Sequence, residues 1–256
     1  YRAVTVDASG AASAASTFAS VRTDVTTAEP TEPEQPTYDM VTGPGSHNSE
    51  MGCAADWQPD CGDAALTLRP DGIWAGTFDL PAGDYEYKVA VNGSWDVNFG
   101  VGGVPGGANS LYTHTGGEIT FYFDPVSKQF ANTAQGPIVS LAGNFQSELG
   151  CSADWMPGEL CAWLTDSDGD GTYTFSTDAI PTGTYETKVV HGVGWGENYG
   201  ADGVRDGQNI TFSATEGSIT AFSYDIATHL LTITSENPQL AGTGTLQAHW
   251  VTQDLL

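Results

Sequence analysis

Positive charge is what this sequence has least of. Its 256 residues include 7 lysines and arginines against 32 aspartates and glutamates, which gives a formal net charge of −25. A surface this acidic repels phosphate backbones and anionic lipid headgroups, so nucleic acid and membrane surfaces are excluded as expected partners. The same surface suits a soluble extracellular protein and an uncharged polyol ligand.

Long hydrophobic runs are also missing. No apolar stretch approaches the roughly 20 residues that a membrane-spanning helix needs, so we expect no membrane insertion. No window keeps a helical apolar period long enough for a substantial helix. No charged segment followed by an apolar one opens the chain, so we expect any secretion signal to lie outside these residues.

Cysteine is scarce and paired. The four cysteines fall in two matched segments, GCAADWQPDC and GCSADWMPGELC. Their even number and repeat symmetry predict two local disulfides, Cys53–Cys61 and Cys151–Cys161, and hence an oxidising compartment. Metal ligation is the alternative, but it usually needs CxxC spacing, and the five histidines are scattered. We predict disulfides and an extracellular protein, secreted or attached to a cell surface.

What the chain does contain is an internal repeat. Residues 83–100 read GDYEYKVAVNGSWDVNFG, and residues 183–200 read GTYETKVVHGVGWGENYG, at an offset of 100. Two of the three lysines in the whole chain, Lys88 and Lys188, share one repeated position, seven residues before a tryptophan. The repeat indicates two domains of ordinary size rather than one large domain.

Both repeats are glycine-rich, with short alternating runs between turn signals. This pattern predicts an all-β fold, with two tandem immunoglobulin-like antiparallel β-sandwich domains after an N-terminal extended linker. The expected divisions are an end strand of a preceding immunoglobulin- or fibronectin-like domain (1–22), an acidic Pro/Thr linker (23–37), the two sandwiches (38–133 and 137–236), and a linker with the start of a next domain (237–256). The expected strands lie near 38–43, 72–79, 83–91, 108–113, 117–124 and 128–132, then near 138–144, 171–177, 183–191, 208–213, 217–225 and 229–234.

Several motifs together resemble a known family. They are the GCxADWxP…C segment, the DxDGDGxY hairpin, the PxGxYExK strand, the WxxN[FY]G loop and AHWV near the end. These motifs are similar to those of the accessory β-sandwich modules that precede the catalytic barrel of pullulanases, which are starch-debranching glycoside hydrolases. Starch-adherence proteins of gut bacteria carry similar modules. The resemblance covers residues 38–254 and implies a catalytic domain elsewhere on a longer chain.

The repeated strand and loop form the main candidate site. Side chains alternate along a strand, so Glu86 and Lys88 share the face opposite to Tyr85 and Tyr87. An indole can stack on the apolar face of a pyranose ring while lysine and asparagine contact its hydroxyls. Alternatively, the tryptophans cap the core and the lysines are ordinary solvated residues. The candidate residues here are Lys88, Trp95, Asn98, Phe99, Lys188, Trp195, Glu197, Asn198 and Tyr199.

Trp57 and Trp155 lie inside the predicted disulfide loops. Such a loop can hold an aromatic side chain outward, as a second wall of a sugar site, or clamp it against the sheet, and both interpretations stay open. Trp74 and Trp163 do not occupy equivalent positions, and we assign them to packing.

One acidic stretch resembles the first half of a calcium loop. Asp166, Asp168 and Asp170 have the spacing, but an EF-hand needs a bidentate glutamate where this chain has Thr177, and flanking helices as well. A hairpin turn that uses aspartate and glycine is the better account, so we predict no cofactor, with these three residues as the calcium candidate.

Catalysis within these residues is not expected. A glycosidase needs two carboxylates roughly 5–9 Å apart in a cleft. The repeat does keep two pairs, Asp56/Asp154 and Glu86/Glu186, but a sandwich of this size offers no deep pocket. The chain also lacks a GxSxG motif and a phosphate loop.

We therefore predict non-catalytic carbohydrate-binding modules. They would tether a secreted starch-degrading enzyme to α-glucan, whether starch, pullulan or maltooligosaccharides, and would be monomeric. The alternatives are structural spacers without a ligand and a cell-surface module that binds another protein.

Overall fold

The computed structural model describes residues 36–236, and these are all-β apart from short 3-10 turns. The predicted all-β fold of tandem β-sandwiches is confirmed. None of the helices in this range has the length and apolar character needed to cross a membrane. The predictions for residues 1–22, for nearly all of the linker and for 237–256 lie outside the described residues, and the domain boundaries stay predictions.

The first module has two antiparallel sheets of four strands. The sheet orders are β1-β4-β5-β6 and β2-β3-β7-β8. The rings of Tyr87, Phe121 and Phe123 belong to its buried core. The strands are β1 Val41–Thr42, β2 Thr67–Leu68, β3 Trp74–Tyr87, β4 Val89–Val91, β5 Asn98–Gly100, β6 Val104–Pro105, β7 Ser110–Phe123 and β8 Phe130–Asn132.

The second module repeats this plan with shorter strands. One sheet runs β10-β9-β12-β13, with β14 also paired to β12, and the other runs β11-β15-β16. Phe145, Phe222 and Tyr224 belong to its buried core. The strands are β9 Val139–Gly143, β10 Trp163–Leu164, β11 Thr172–Thr177, β12 Gly183–His191, β13 Glu197–Tyr199, β14 Ile210–Ala214, β15 Ile219–Asp225 and β16 Leu230–Glu236.

The strand break predicted near Pro81 was wrong for the first module. There β3 runs through Pro81 and pairs with β7 on both sides, Leu80 with Gly117 and Ala82 with Thr115. Proline lacks an N–H and removes one rung of the ladder, while Gly116 opposite it adopts a φ of 93° that other residues rarely accept. At the equivalent Pro181 the second module does separate β11 from β12.

The predicted alternation along the repeated strand is confirmed. Tyr87, Val89 and Val189 are buried, whereas Lys88 and Lys188 are partly exposed on the other face. Trp74 and Trp163 are also buried, as assigned from their non-equivalent positions. The two lysines therefore lie where they can contribute to a surface site.

A small apolar cluster joins the two modules. It contains Ile73 and Tyr122 from the first module and Ile138, Leu160 and Trp163 from the second. Beside it, the Asp71 carboxylate accepts a hydrogen bond from the Leu160 backbone N–H at 3.0 Å. The Arg69 guanidinium pairs with Asp71 at 2.8 Å and donates to the carbonyl of Gly158. Residues 69–72, with the sequence RPDG, thus supply polar contacts between the modules.

Glycine is required at the repeated position that follows each tryptophan loop, because a side chain there would collide with neighbouring backbone. A Cβ on Gly100 would lie 2.3 Å from the Ala108 carbonyl oxygen, and one on Gly200 would lie 2.0 Å from that of Gln208. Gly100→Ala is expected to lower the free energy of unfolding by about 2 kcal/mol, since the clash is with backbone that must move. Urea denaturation measures this loss. Gly62→Ala is the control, because its Cβ meets nothing within 4 Å, and equal losses in the two variants would contradict the packing explanation.

Candidate functional site

Each module brings two tryptophans from distant segments to one open face. The Trp57 and Trp95 ring centroids lie 6.3 Å apart with planes at 37°. Trp155 and Trp195 repeat this arrangement at 6.4 Å and 33°. Trp95 is 40% exposed and Trp195 is 42% exposed, so neither caps the core. Each pair forms an apolar surface of two tilted indoles.

The disulfide loops hold one indole of each pair. The structure contains both predicted disulfides, Cys53–Cys61 and Cys151–Cys161. Trp57 and Trp155 have φ values of 62° and 58°, a backbone conformation that is strained for bulky residues. Both are half-buried, and each faces its partner tryptophan.

Hydrogen bonds pin these loops in place. The Trp57 N–H donates to the Gly45 carbonyl at 3.0 Å, and the first loop is also held by Asp56. The Asp56 carboxylate accepts from the Ser49 N–H at 2.9 Å and from the Ser49 hydroxyl at 2.7 Å. These hydrogen bonds lower the pKa of Asp56. Asp154 bonds Ser147 in the same way in the second module. The repeated aspartates thus support the tryptophans.

A lysine and an asparagine lie beside each indole pair. Lys188 Nζ donates to Asn198 Oδ1 at 3.2 Å, and Lys88 Nζ lies 3.5 Å from Asn98 Oδ1. The Asn98 side-chain amide in turn donates to the Trp95 carbonyl at 2.9 Å. The chain of contacts from lysine to asparagine to the tryptophan loop fixes that loop on the sheet. The structure therefore brings together the lysine, asparagine and tryptophan candidates of each repeat.

Two further side chains complete the second site, and neither was predicted from sequence. The site is an open depression of about 480 Å³. Its lining residues are Trp155, Lys188, Trp195, Asn198, Asp206 and Asn209. The offset of 100 that defines the repeat extends to Asn109 and Asn209 and would have found the asparagine. Asp206 replaces Gly106, so the repeat carries no signal for it.

The repeated glutamates hold these asparagines. The Asn109 amide donates to Glu86 Oε2 at 3.0 Å, and the Asn209 amide donates to Glu186 Oε2 at the same distance. This bond uses one of the two N–H donors of the amide, so the other N–H and the carbonyl oxygen can bond a ligand. Glu86 and Glu186 therefore orient polar groups at the edge of each site.

Phe99 and Tyr199 do not reach the sites. The segment taken for a loop forms the short strands β5 and β13, so alternation places these rings opposite to Asn98 and Asn198. Phe99 is buried and stacks on Phe123 at 5.7 Å. Tyr199 is buried and stacks on His229 at 3.8 Å. We leave both rings out of the proposed site.

Glu197 lies on the same side of β13 as Tyr199. Its carboxylate accepts a hydrogen bond from the Tyr199 hydroxyl at 2.7 Å and contacts His191 Nδ1 at 2.9 Å. The bond from Tyr199 lowers the pKa of Glu197, while burial lowers the pKa of His191. His191 Nε2 also meets the Tyr224 hydroxyl at 2.9 Å. Glu197 is therefore part of a polar network with His191 and Tyr199 and does not line the depression.

The calcium candidate forms a hydrogen-bonded turn. Carboxylate oxygens of Asp166, Asp168 and Asp170 lie within 4.8 Å of one another. Asp166 accepts hydrogen bonds from the Gly169 N–H at 2.8 Å and the Gly171 N–H at 2.9 Å. Gly169 and Gly171 have φ values of 75° and 89°, as a hairpin turn of aspartate and glycine requires. Calcium binding at these three residues remains the alternative to the predicted turn.

Comparison with known proteins matches both modules. A family model described as the pullulanase X25 domain matches residues 40–130 and 138–231. An amylopullulanase of Thermoanaerobacterium thermosulfurigenes is 35% identical over 207 residues, which is 77% of this chain and 11% of that protein. An amylopullulanase of Thermoanaerobacterium saccharolyticum is 34% identical over 77% of this chain and 16% of that protein.

A comparison of structures finds a pullulanase from Bacillus acidopullulyticus, with a TM-score of 0.35 and 14% identity, covering 76% of this chain and 28% of that chain. That likeness is too small to bear on the fold or the site.

The matched residues are accessory domains and not a catalytic region, as the sequence predicted. This chain spans only 11% and 16% of the length of the two amylopullulanases. The predicted resemblance to accessory modules of a pullulanase-type enzyme is confirmed by the family match over two consecutive segments. The chain belongs to the pullulanase X25 domain family and carries two such domains in tandem.

Proposed function

We propose that the two modules bind α-glucan and tether a starch-degrading enzyme to its polysaccharide. One observation carries this proposal. The same indole pair, with the same lysine and asparagine beside it, occurs on an open face of both modules. A feature needed only for folding would bury its rings, whereas these tryptophans are substantially exposed.

The geometry suits a neutral, curved sugar chain. Indole faces stack on the C–H face of a pyranose ring, and the lysine ammonium and asparagine oxygens can bond the surrounding hydroxyls. The indole planes are inclined at 37° and 33°. Successive sugar rings of an α-linked chain are inclined to one another as well. A sugar chain that forms a flat ribbon would instead stack best on coplanar indoles. We therefore favour α-glucan as the ligand.

Tandem sites suit a repeating polymer. A single open site of this kind would bind with about −4 to −6 kcal/mol, which corresponds to millimolar to tens of micromolar dissociation constants. When two such sites engage one chain or granule, the second binding event becomes intramolecular and avidity rises by orders of magnitude.

We place the modules in an extracellular enzyme. The relatives that they match are named amylopullulanases, and this chain covers a small part of them. We propose that a catalytic domain lies on the same longer chain. Two disulfides within the described residues support secretion into an oxidising environment.

Removal of one exposed indole from each module tests the proposal. Isothermal titration with maltoheptaose is expected to show two sites in the parent chain and one in Trp95→Ala or Trp195→Ala, because each variant loses half of one stacking surface. The double variant is expected to give no heat and no retention on granular starch. Val126→Ala is the control, because it truncates another exposed apolar side chain, in the turn between β7 and β8. Unchanged binding by the double variant would exclude this site.

The contacts between the modules support a second, compatible role as a rigid spacer. Leu160 and Trp163 pack against Ile73 and Tyr122 across the joint, and Asp71 bonds the Leu160 N–H. A spacer without a ligand would show no change in the fluorescence of Trp95 and Trp195 when maltoheptaose is added. A binding module would show those indoles protected from acrylamide by the sugar.

A further inference from the structure

We infer that Asp206 makes the site of the second module the tighter of the two, by accepting hydrogen bonds from glucose hydroxyls. This inference rests on the proposed function and concerns one difference between two sites that share their tryptophans, lysine and asparagines. Both have two indoles, a lysine and two asparagines, whereas Asp206 corresponds to Gly106 at the offset of 100.

The backbone at this position favours glycine in both modules. Gly106 has a φ of 64° and Asp206 has a φ of 54°, in the left-handed region where side chains are disfavoured. The second module nevertheless places a carboxylate here, and the side chain lines the depression. The chain path is thus the same in both sites while the chemistry of the lining differs.

One oxygen of Asp206 is engaged and the other is available. Its Oδ1 accepts a hydrogen bond from the Asn198 amide at 2.7 Å. Its Oδ2 lies 4.0 Å from Arg205 Nε, too far for a hydrogen bond, and the side chain is 70% exposed. A carboxylate oxygen in this position can accept from a hydroxyl, and such charge-assisted bonds are stronger than neutral ones.

The first site has no side-chain acceptor at this position. At Gly106 it presents a backbone carbonyl, which already lies 3.4 Å from Lys88 Nζ. In the second site, the bond from Asn198 fixes Asp206 beside the Lys188–Asn198 pair. Lysine as donor and carboxylate as acceptor can then hold two adjacent hydroxyls of one glucose ring.

Exchanging the two residues in single-site backgrounds tests the inference. Trp95→Ala leaves only the second site, and Trp195→Ala leaves only the first. With maltoheptaose as the probe, adding Asp206→Gly to the Trp95→Ala variant is expected to raise Kd about tenfold, which corresponds to about 1.4 kcal/mol. Adding Gly106→Asp to the Trp195→Ala variant is expected to lower Kd severalfold.

The chain supplies a matched control. Asp202 has a φ of 60°, corresponds to Gly102 and does not line the depression. Asp202→Gly therefore makes the same change of side chain, charge and backbone freedom outside the site, and Kd is expected to stay unchanged. If Asp206→Gly and Asp202→Gly leave Kd equal, the inference is overturned while sugar binding stands. If neither tryptophan variant changes the heat of binding, the proposed function itself fails.

Discussion

Acidification from pH 7 to pH 4 is expected to reduce the free energy of unfolding by about 3 kcal/mol through one histidine of the first module. The His47 side chain is fully buried. Its Nε2 lies 3.0 Å from the Gly43 carbonyl, and the Tyr112 hydroxyl lies 2.9 Å from Nδ1. The neutral ring fits both partners, donating through Nε2 and accepting at Nδ1. Burial lowers the pKa of His47 from 6.5 to about 4.

The direction of this pH dependence follows from the pH at which the folded and the unfolded chain each bind a proton at His47. Above pH 6.5 the histidine is neutral in both the folded and the unfolded chain. Between pH 6.5 and about 4 the unfolded chain binds a proton that folded His47 does not, so stability falls as the pH falls. Below that window both states are protonated and the loss levels off. His191, whose pKa burial also lowers, adds a loss of the same sign in the second module.

The second module supplies the variant that tests this. Phe145 and Phe212 stand there in place of His47 and Tyr112, with ring centroids 5.4 Å apart. The double variant His47→Phe, Tyr112→Phe copies that pair and leaves no hydroxyl without its acceptor. Urea denaturation at pH 7, 5.5 and 4 is expected to show that most of the pH dependence is lost, with the His191 contribution remaining. A double variant as acid-sensitive as the parent would assign the effect to other groups.

Replacing Asp71 with alanine is expected to lower the free energy of unfolding by about 3 kcal/mol. The Asp71 side chain is 1% exposed and pairs with Arg69 at 2.8 Å. It also accepts hydrogen bonds from the Leu160 N–H at 3.0 Å and the Ile73 N–H at 3.3 Å. Its removal takes the carboxylate away from the partly buried Arg69 guanidinium and from the backbone N–H groups of Leu160 and Ile73.

The position of Asp71 gives this prediction a second readout. Because Asp71 contacts both modules, the parent chain is expected to unfold in one cooperative transition and Asp71→Ala in two. Calorimetry measures both the loss of stability and the number of transitions. Asp79→Ala removes an exposed aspartate of β3 and serves as the control. A single transition with unchanged midpoint in Asp71→Ala would show that the ion pair does not couple the modules.

Much of the candidate site followed from comparing the chain with itself. Lys88, Trp95 and Asn98 stood out because the same residue types recur at an offset of 100. Pairing Trp57 with Trp95 rested on the repeated disulfide segment, and the structure places their rings 6.3 Å apart. Both inferences used the identity of residues at equivalent positions of the two repeats, which can be seen in the sequence directly. That these residues bind sugar stays a prediction.

Other features depended on structure that the pattern did not show. The three-residue strand β5 is too short to display alternation, so Phe99 was placed on the same surface as Asn98. At Pro81 the turn signal was strong, yet pairing with β7 continued past it, because cross-strand contacts on both sides outweigh one missing hydrogen bond.

By itself, the sequence determined the all-β class, the tandem repeat, the disulfide pairs and the lysine and tryptophan positions. Each of these depends on alternation or on spacing along the chain. Only the tertiary structure decided that Asp206 enters the second site and that Asp71 bonds the backbone of Leu160, 89 residues away. Such contacts form between segments that are brought together by the packing of sheets, so no local pattern could mark them.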